Sequence, residues 1–378
     1  MLSEDLCDLV ELGSLPACEA AGIQIARAIS PAVVRAYPES NRHRRKGAVS
    51  NGILVSVVVV TWNGRHFLDR CLRSLTRSFA LVPGFCEMLV VDNGSADGSS
   101  DFVADSFPEA RLLRFDTNIG FAAATTNALA FATGEFVALL NDDTEVDPAW
   151  LCEMLLFIRA HPSAGSCAPQ VRFLHHPGHI NSAGIVVDRS GTAADRLGGE
   201  PVTRSEATPV EVFGPSGSAV LFRRSMLDEV GLYEPRFFAY LEDVDHAWRA
   251  KRSGWKCFYV PGAIVYHVHS GTSGQGSPRK AFLLSRNQVW VLARNASLTQ
   301  AASYGPWLIF RLLALTAFYL VTRRSIAPLA GSVAGVRGVP TIVHGMRRLP
   351  FLPAGSFAPV TSPRRQLRLR LQRDQLAR

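Results

Sequence analysis

The chain has 378 residues, 47% hydrophobic and 19% charged, which excludes a disordered protein and leaves room for one large α/β domain with additions, or two domains. Seven scattered cysteines without a C-x-x-C argue against a disulfide framework or a thiolate zinc site and for reduced thiols. The net charge of +8 is uneven: from Ala301 onward twelve arginines face one acid, Asp374, giving that segment +11 and the first 300 residues −3, the pattern of an acidic body whose basic end meets an anionic surface.

Residues 1–50 open on MLSEDLCDLVELG, acidic and without the basic flank and long apolar core of a signal peptide, so a cytosolic location is expected. They close on Arg42, Arg44, Arg45 and Lys46 and read as an extension, with a linker at Ser50-Asn51-Gly52. "ILVSVVVVTWNG" then has the unbroken β-branched run of a parallel strand buried on both faces, stopped by Asn-Gly. A helix is predicted from His66 to Ser78, a second buried strand in "EMLVVDNGS", a third in "RLLRFD", a helix from Phe121 to Ala132, and a fourth strand in "GEFVALLND". Strand–helix alternation of this kind predicts a doubly wound sheet, with its ligand beyond the C-terminal strand ends.

Past residue 150 the pattern changes. "NSAGIVVDRSGTAADRLGG" reads as a hairpin, "VFGPSGSAVLFRRSML" as a strand entering a helix, and "KCFYVPGAIVYHVHSG" as two strand pieces broken at Pro261-Gly262. These complete one site instead of forming an independent domain.

Four polar clusters end the predicted strands: Thr61-Trp62-Asn63, Asp92-Asn93-Gly94-Ser95, Asn118 with Gly120, and Asn141-Asp142-Asp143. One alone is an ordinary strand stop. Four on one sheet edge suit a nucleotide, with amides and carboxylates for base and ribose and a carboxylate for a metal on the diphosphate. Neither a G-x-G-x-x-G after the first strand nor a G-x-x-x-x-G-K-[ST] is present.

"SVVVVTWNGRHFLDRCLRSL", "VVDNGSADGS", "TNIGFAAATTNALAFATGEFVALLNDD" and "FFAYLEDVDHAWRAKRSGWK" together resemble, in order, the motifs of family 2 glycosyltransferases, on the rhamnosyltransferase-like and galactofuranosyltransferase-like branch. The resemblance covers about residues 53–295. It implies an α/β GT-A fold (a doubly wound, Rossmann-like mixed sheet), a nucleotide-diphosphate sugar donor such as a dTDP- or UDP-sugar, a divalent cation (Mn²⁺ or Mg²⁺) and inversion at the anomeric carbon. Carried over by position, Thr61, Asn63 and Asp92 contact the nucleotide, Asn118 and Asn127 shape the same pocket, and Asp143 matches the last acid of the D-x-D metal motif. Asn141 replaces the first acid of that motif and brings no charge, with Asp142 between them. His267 stands where relatives supply a histidine to the metal, and imidazole suits Mn²⁺ better than Mg²⁺. Arg286, beside Asn287, stands where relatives carry an Arg-Asn pair, suited to a leaving diphosphate.

The same resemblance makes Asp243 the catalytic base, since a sugar hydroxyl needs a carboxylate in reach to take its proton. The apolar residues before it would raise its pKa. In a helix over 242–252, Glu242 and Asp245 share a face while Asp243 points about 100° from Glu242. A solvated acidic helix start is the plainer alternative.

The chain thus divides into an extension (1–50), a glycosyltransferase domain (51–295) and a basic C-terminal tail with an apolar helix (296–378). "WLIFRLLALTAFYLV", residues 307–321, reaches about 22 Å as a helix, short of a ~30 Å hydrocarbon core, so it is expected to lie in the interface or pack on the enzyme. Arg323, Arg324 and the alternating Arg and Leu of "SPRRQLRLRLQR" fit anionic lipid, and no aromatic–basic interleaving for nucleic acid is seen. The expected protein acts at the inner face of the cell membrane on a lipid-linked glycan or polysaccharide acceptor. A nucleotidyltransferase and a catalytically dead scaffold of a glycan-assembly complex are the competing readings.

Overall fold

The valine-rich run forms the central strand β1 (Ile53–Thr61) in the computed structural model, which describes residues 52–268, 277–346 and 349–359 with Gln372, Gln375 and Leu376. Parity divides its side chains: Val55, Val57 and Val59 enter one apolar cluster, Val58 and Val60 another on the opposite face. A strand covered on both sides needs no polar alternation, hence the unbroken run.

Alternating elements follow: α1 (Arg65–Phe79), β2 (Phe85–Asn93), α2 (Ser99–Ser106), β3 (Arg111–Phe115), α3 (Phe121–Ala128) and β4 (Phe136–Asn141). Helix α3 ends four residues before the predicted Ala132. Just beyond, the Thr133 and Gly134 amides leave the helical pattern for Ser56 Oγ at 3.0 and 2.7 Å, and Thr133 also reaches Glu87. The second half supplies β5 (Thr144–Val146), α4 (Trp150–Ala160), β6 (Ala164–Phe173), β7 (Ile180–Ser182), the separate hairpin β8 (Ile185–Val187) and β9 (Ala193–Asp195), β10 (Val210–Val212), β11 (Ala219–Arg223), α5 (Arg224–Val230), α6 (Glu242–Arg252), β12 (Lys256–His267) and α7 (Pro278–Asn295). The two pieces expected around Pro261-Gly262 are one strand, β12. The break is absorbed as a register shift against β6 between Val260 and Ile264.

The main sheet runs β10-β12-β6-β11-β4-β1-β2-β3, with β5 on β12 and β7 on β6. Strands β3, β2, β1 and β4 are parallel, and β11 is antiparallel to both β4 and β6. The chain moves from β1 outward to β2 and β3, then returns to β1's other side as β4. That reversal opens a crevice at the C-terminal ends of β1 and β4. Helices α1 and α4 cover one face of the sheet, through Leu68, Leu72, Trp150 and Met154. Helices α3, α6 and α7 cover the other, through Ala124, Trp248 and Trp290.

The segment read as a tail is more than a tail. It forms α8 (Leu298–Arg323), α9 (Ala327–Arg337) and α10 (Val339–Val343). A row of small residues on α9 lets it lie directly on α7: a Cβ at Gly331 would stand 2.2 Å from Phe282 O, and Trp290 Nε1 donates to Gly335 O at 3.0 Å. Further along, Phe357 is buried against Trp248 and Phe213, and Ala358 bonds backbone to backbone with Val187 and Arg189. The boundary at 295 therefore cuts through packed structure.

Helix α8 also departs from expectation. It has 26 residues, about 39 Å at ~1.5 Å each, because a Ser297–Gln300 capping box starts it nine residues before the apolar run. By length and composition it could cross a bilayer, which removes the shortness argument. Its burial is one-sided. Tyr304 and Tyr319 are buried and Arg311 donates to Thr192 Oγ1 at 2.8 Å, while Ile309, Phe310, Leu313, Leu320 and Val321 are exposed. His269, residues 1–50 and the basic stretch 363–371 lie outside the described residues.

Candidate active site

Register puts the expected pocket residues side by side: Thr61 pairs with Asp92, and Val60 with Asn141. Thr61 and Asp142 are buried and face the backbone of Gly64, where a Cβ would stand 2.0 Å from Asp142 Oδ2 and 2.7 Å from Thr61 Oγ1. Neither of these two oxygens makes a hydrogen bond of ordinary geometry among the described residues. Burial, with the neighbouring Asp143 charge, raises the Asp142 pKa to about 7. A glycine there lets the loop backbone close over both oxygens, and Thr61 offsets part of the rise at Asp142.

Several expected contacts first serve to shape loops. Asp92 is buried and accepts from the Ser95 amide at 2.9 Å and from the Ser100 hydroxyl. Asn63, at φ 54°, ties the β1 and β2 loops together through Ser95 Oγ and the Ala96 amide, both at 2.9 Å. Asn118 accepts from the Gly120 amide at 2.9 Å and from Asn93 Nδ2 at 3.1 Å, while Asn93 Oδ1 accepts from the Ile119 amide. Asn93 thus clamps the loop, a role its membership of the Asp92-Asn93-Gly94-Ser95 cluster did not reveal. Nothing in its position within "VVDNGS" distinguishes it from an ordinary strand stop. Asn141 is half-buried at the end of β4, its backbone tied to Ser218 O. Asn127 lies in the last turn of α3, about 10 Å along the axis from Gly120 at its start.

Antiparallel pairing of β12 with β5 sets His267 opposite Thr144 and brings its Nε2 to 3.0 Å from Asp143 Oδ1. The other ring nitrogen meets Asn181 Oδ1 at 3.1 Å, which fixes the imidazole plane. Asn181 is a second residue that sequence reasoning missed, in the three-residue β7. Burial opposes the charged imidazole, but Asp143 beside it outweighs this and raises the His267 pKa. No group of three His, Cys, Asp or Glu able to hold a metal occurs among the described residues. Asp143 and His267 fit an ion only as two converging ligands, with its other positions taken by donor oxygens or water.

The acidic cluster resolves into separate roles. Helix α6 starts at Glu242 as expected, after a turn in which Phe238, Tyr240 and Leu241 have φ of 65°, 73° and 66°. Asp243 accepts from the Gly217 amide at 2.9 Å and from the Val244 amide at 2.8 Å. Burial nevertheless raises its pKa to about 6. Glu242 is buried, its Oε2 without a hydrogen bond among the described residues, and burial plus Asp243 raises its pKa to about 8. Asp245 is structural: it receives Arg249 Nε, Arg294 Nε and Asn295 Nδ2, all at 2.8 Å. Burial would raise its carboxyl, but Arg249 and Arg294 hold it below the usual range. A solvated helix start is not what these residues form.

A further carboxylate, Asp195 on β9, lies near enough to both Asp243 and His267 to raise the pKa of each. No sequence signal marks it within "TAADRLGG". Arg286 is engaged elsewhere than expected. Its guanidinium lies 4.3 Å over the Trp290 ring and donates to Phe237 O at 2.8 Å, and burial lowers its pKa to about 10.

The mixed sheet with its switch point between β1 and β4, the Asp143–His267 pair at the end of β12 and the half-buried Asp243 at the start of α6 stand in a protein of the GT-A fold. The model of "Glycosyl transferase family 2" matches residues 56–231, and this stretch of the chain is a domain of that family. It is 29% identical over 246 residues, 59% of this chain and 78% of the relative, to N-acetylglucosaminyl-diphospho-decaprenol L-rhamnosyltransferase of Mycobacterium tuberculosis. It is also 29% identical over 279 residues, 73% of this chain and 53% of the relative, to pre-mycofactocin glycosyltransferase of the same organism. The crystal structure of GalNAc-T7 with UDP, GalNAc and Mn²⁺ aligns with a TM-score of 0.54 at 18% identity, over 68% of this chain and 50% of that one, and shares the fold.

Proposed function

We propose that this glycosyltransferase moves a sugar, rhamnose or another deoxyhexose, from a dTDP- or UDP-linked donor to a hydroxyl of a lipid-linked glycan, with inversion. The observation that carries the reading is Asp243: its backbone partners hold it in place while burial keeps its pKa near 6. At pH 7 such a group is mostly ionised yet a stronger base than an ordinary carboxylate, which suits proton removal from an attacking hydroxyl. Attack opposite the departing diphosphate inverts the anomeric carbon. Thr61, Asp92, Asn118 and Asp142 would take the nucleotide, and Asp143 with His267 would hold Mn²⁺ or Mg²⁺. Such an ion supplies positive charge for the leaving diphosphate. The rhamnosyltransferase relative, whose name specifies a diphospho-decaprenol acceptor, supports the choice of deoxyhexose and of a lipid-linked acceptor.

The exposed apolar side of α8 supports residence on the inner face of the cell membrane. Its other side is pinned to the body at Tyr304, Arg311 and Tyr319, so the helix would lie in the interface plane. The test of the whole reading is incubation with dTDP-rhamnose and UDP-sugars, with Mn²⁺, and an N-acetylglucosaminyl-diphospho-polyprenol. Transfer with release of nucleoside diphosphate supports it. Pyrophosphate release would instead indicate a nucleotidyltransferase, and no turnover of any donor a scaffold.

A further inference from the structure

The turn that delivers Glu242 and Asp243 is strained and is held mainly by one side chain. Phe238, Tyr240 and Leu241 adopt left-handed φ angles that bulky residues rarely take. Asn287, fully buried on α7, shares the two Nδ2 hydrogens among Phe237 O at 3.0 Å, Ala239 O at 2.9 Å and Tyr240 O at 2.7 Å. Its Oδ1 accepts from Arg286 Nε at 3.0 Å, which orients the amide, and Arg286 adds its own bond to Phe237 O.

Both ends of this turn lead to the site. Phe238 O accepts from the Ala122 amide at 3.0 Å, and Phe238 covers Gly120, where a Cβ would come within 2.6 Å of its ring. That is the loop shaped by Asn118, on the donor side. Downstream, Leu241 O accepts the Asp245 amide at 3.0 Å and closes the first turn of α6. The same α7 grips Asp245 through Arg294 and Asn295, so it splints α6 at two points.

We propose that Asn287, oriented by Arg286, is a positioning residue: it holds the strained 237–241 turn so that Asp243 enters α6 aimed at the acceptor. The kinetic side of this inference rests on the transferase reading, and its structural side on the turn alone. A side chain that merely fills the core would be replaced in function by nothing at a distance. A clamp on a strained turn is replaceable, because glycine takes positive φ freely.

The experiment is a cycle of Asn287→Ala, Leu241→Gly and the double variant, read by hydrogen exchange over 237–247, donor binding and single-turnover transfer. Asn287→Ala is expected to speed exchange in that segment and to slow transfer about 10²-fold, the scale of a ~1 Å misplacement, with donor affinity within a few-fold of wild type. Adding Leu241→Gly should recover about ten-fold of that loss, although Leu241→Gly alone gives no gain. Unchanged exchange, parallel loss of donor binding, or no recovery in the double variant would overturn the proposal. If Asn287→Ala does not fold, Asn287→Ser enters the same cycle with the same criteria. If the wild-type protein transfers no sugar, the functional reading fails while the exchange arm still decides the clamp.

Discussion

His267 Nε2 lies 3.0 Å from Asp143 Oδ1, and this contact exists because β12 pairs antiparallel with β5 and sets the two residues at one strand end. Two atoms converging on one point act as a unit. Asp143→Ala and His267→Ala are each expected to abolish the Mn²⁺ dependence of donor binding, and the double variant to add little to either. Calorimetric titration of nucleoside diphosphate with and without Mn²⁺ checks this. Unchanged metal dependence in either variant would remove that residue from the ligand set.

Asp243→Asn keeps shape and hydrogen bonding but accepts no proton. Transfer should fall about 10²–10⁴-fold, with donor affinity within a few-fold of wild type. In the wild type, transfer should rise with pH through about 6 and level off above it, following ionisation of Asp243. A rate that rises through about 8 instead, with near-normal transfer by Asp243→Asn and a dead Glu242→Gln, would move the base to Glu242.

Glu242 also marks a pH window for stability. Its folded pKa, about 8, stands above the ordinary 4.5, so the folded state binds the extra proton between those values. The contribution is full below about pH 4.5 and lost as pH rises through 8. Glu242→Gln cannot ionise, so its Tm relative to wild type should increase from pH 5 to about pH 8 and level off above it. A difference that stays constant would mean Glu242 is not buried protonated.

The small residues of α9 are a packing requirement. Gly331→Ala places a Cβ 2.2 Å from Phe282 O, and overpacking of this kind costs about 1–3 kcal/mol. A lowered Tm without loss of a two-state transition is expected. Truncation after Asn295 should unfold the protein, since it removes Phe357 and the whole of α9 from the core. A truncated chain with native stability would contradict that packing.

Replacing Ile309, Phe310 and Leu313 by serine should leave the fold intact, because all three are exposed. Co-sedimentation with anionic vesicles should drop sharply for this variant, and high salt should weaken binding of the wild type only in part, since screening acts on the arginines and not on the apolar face. Equal binding by variant and wild type would exclude α8 as the docking element.

The linear chain by itself determined the parallel half of the sheet, because burial on both faces writes itself as unbroken Val and Ile, and strand ends write themselves as Asn, Asp and Gly. It also placed Thr61, Asp92, Asn118 and Asp142 at those ends, since strand ends of a doubly wound sheet fall on one edge, and it set the start of α6 at Glu242. Pairing between distant segments was beyond it. The contact of Asn181 with His267, the nearness of Asp195 to both Asp243 and His267, and the bonds of Asn287 to the 237–241 turn each depend on which strand or helix lies beside which, and register leaves no mark in composition. The same holds for the C-terminal segment. Arginine content and an apolar run describe its chemistry, but only the fit of Gly331 and Gly335 against α7 makes part of it core. Arg286 looked like a diphosphate ligand by position and became a loop anchor in three dimensions, because the nearest acceptors its guanidinium meets are Phe237 O in the turn before Asp243 and Asn287 Oδ1 beside it.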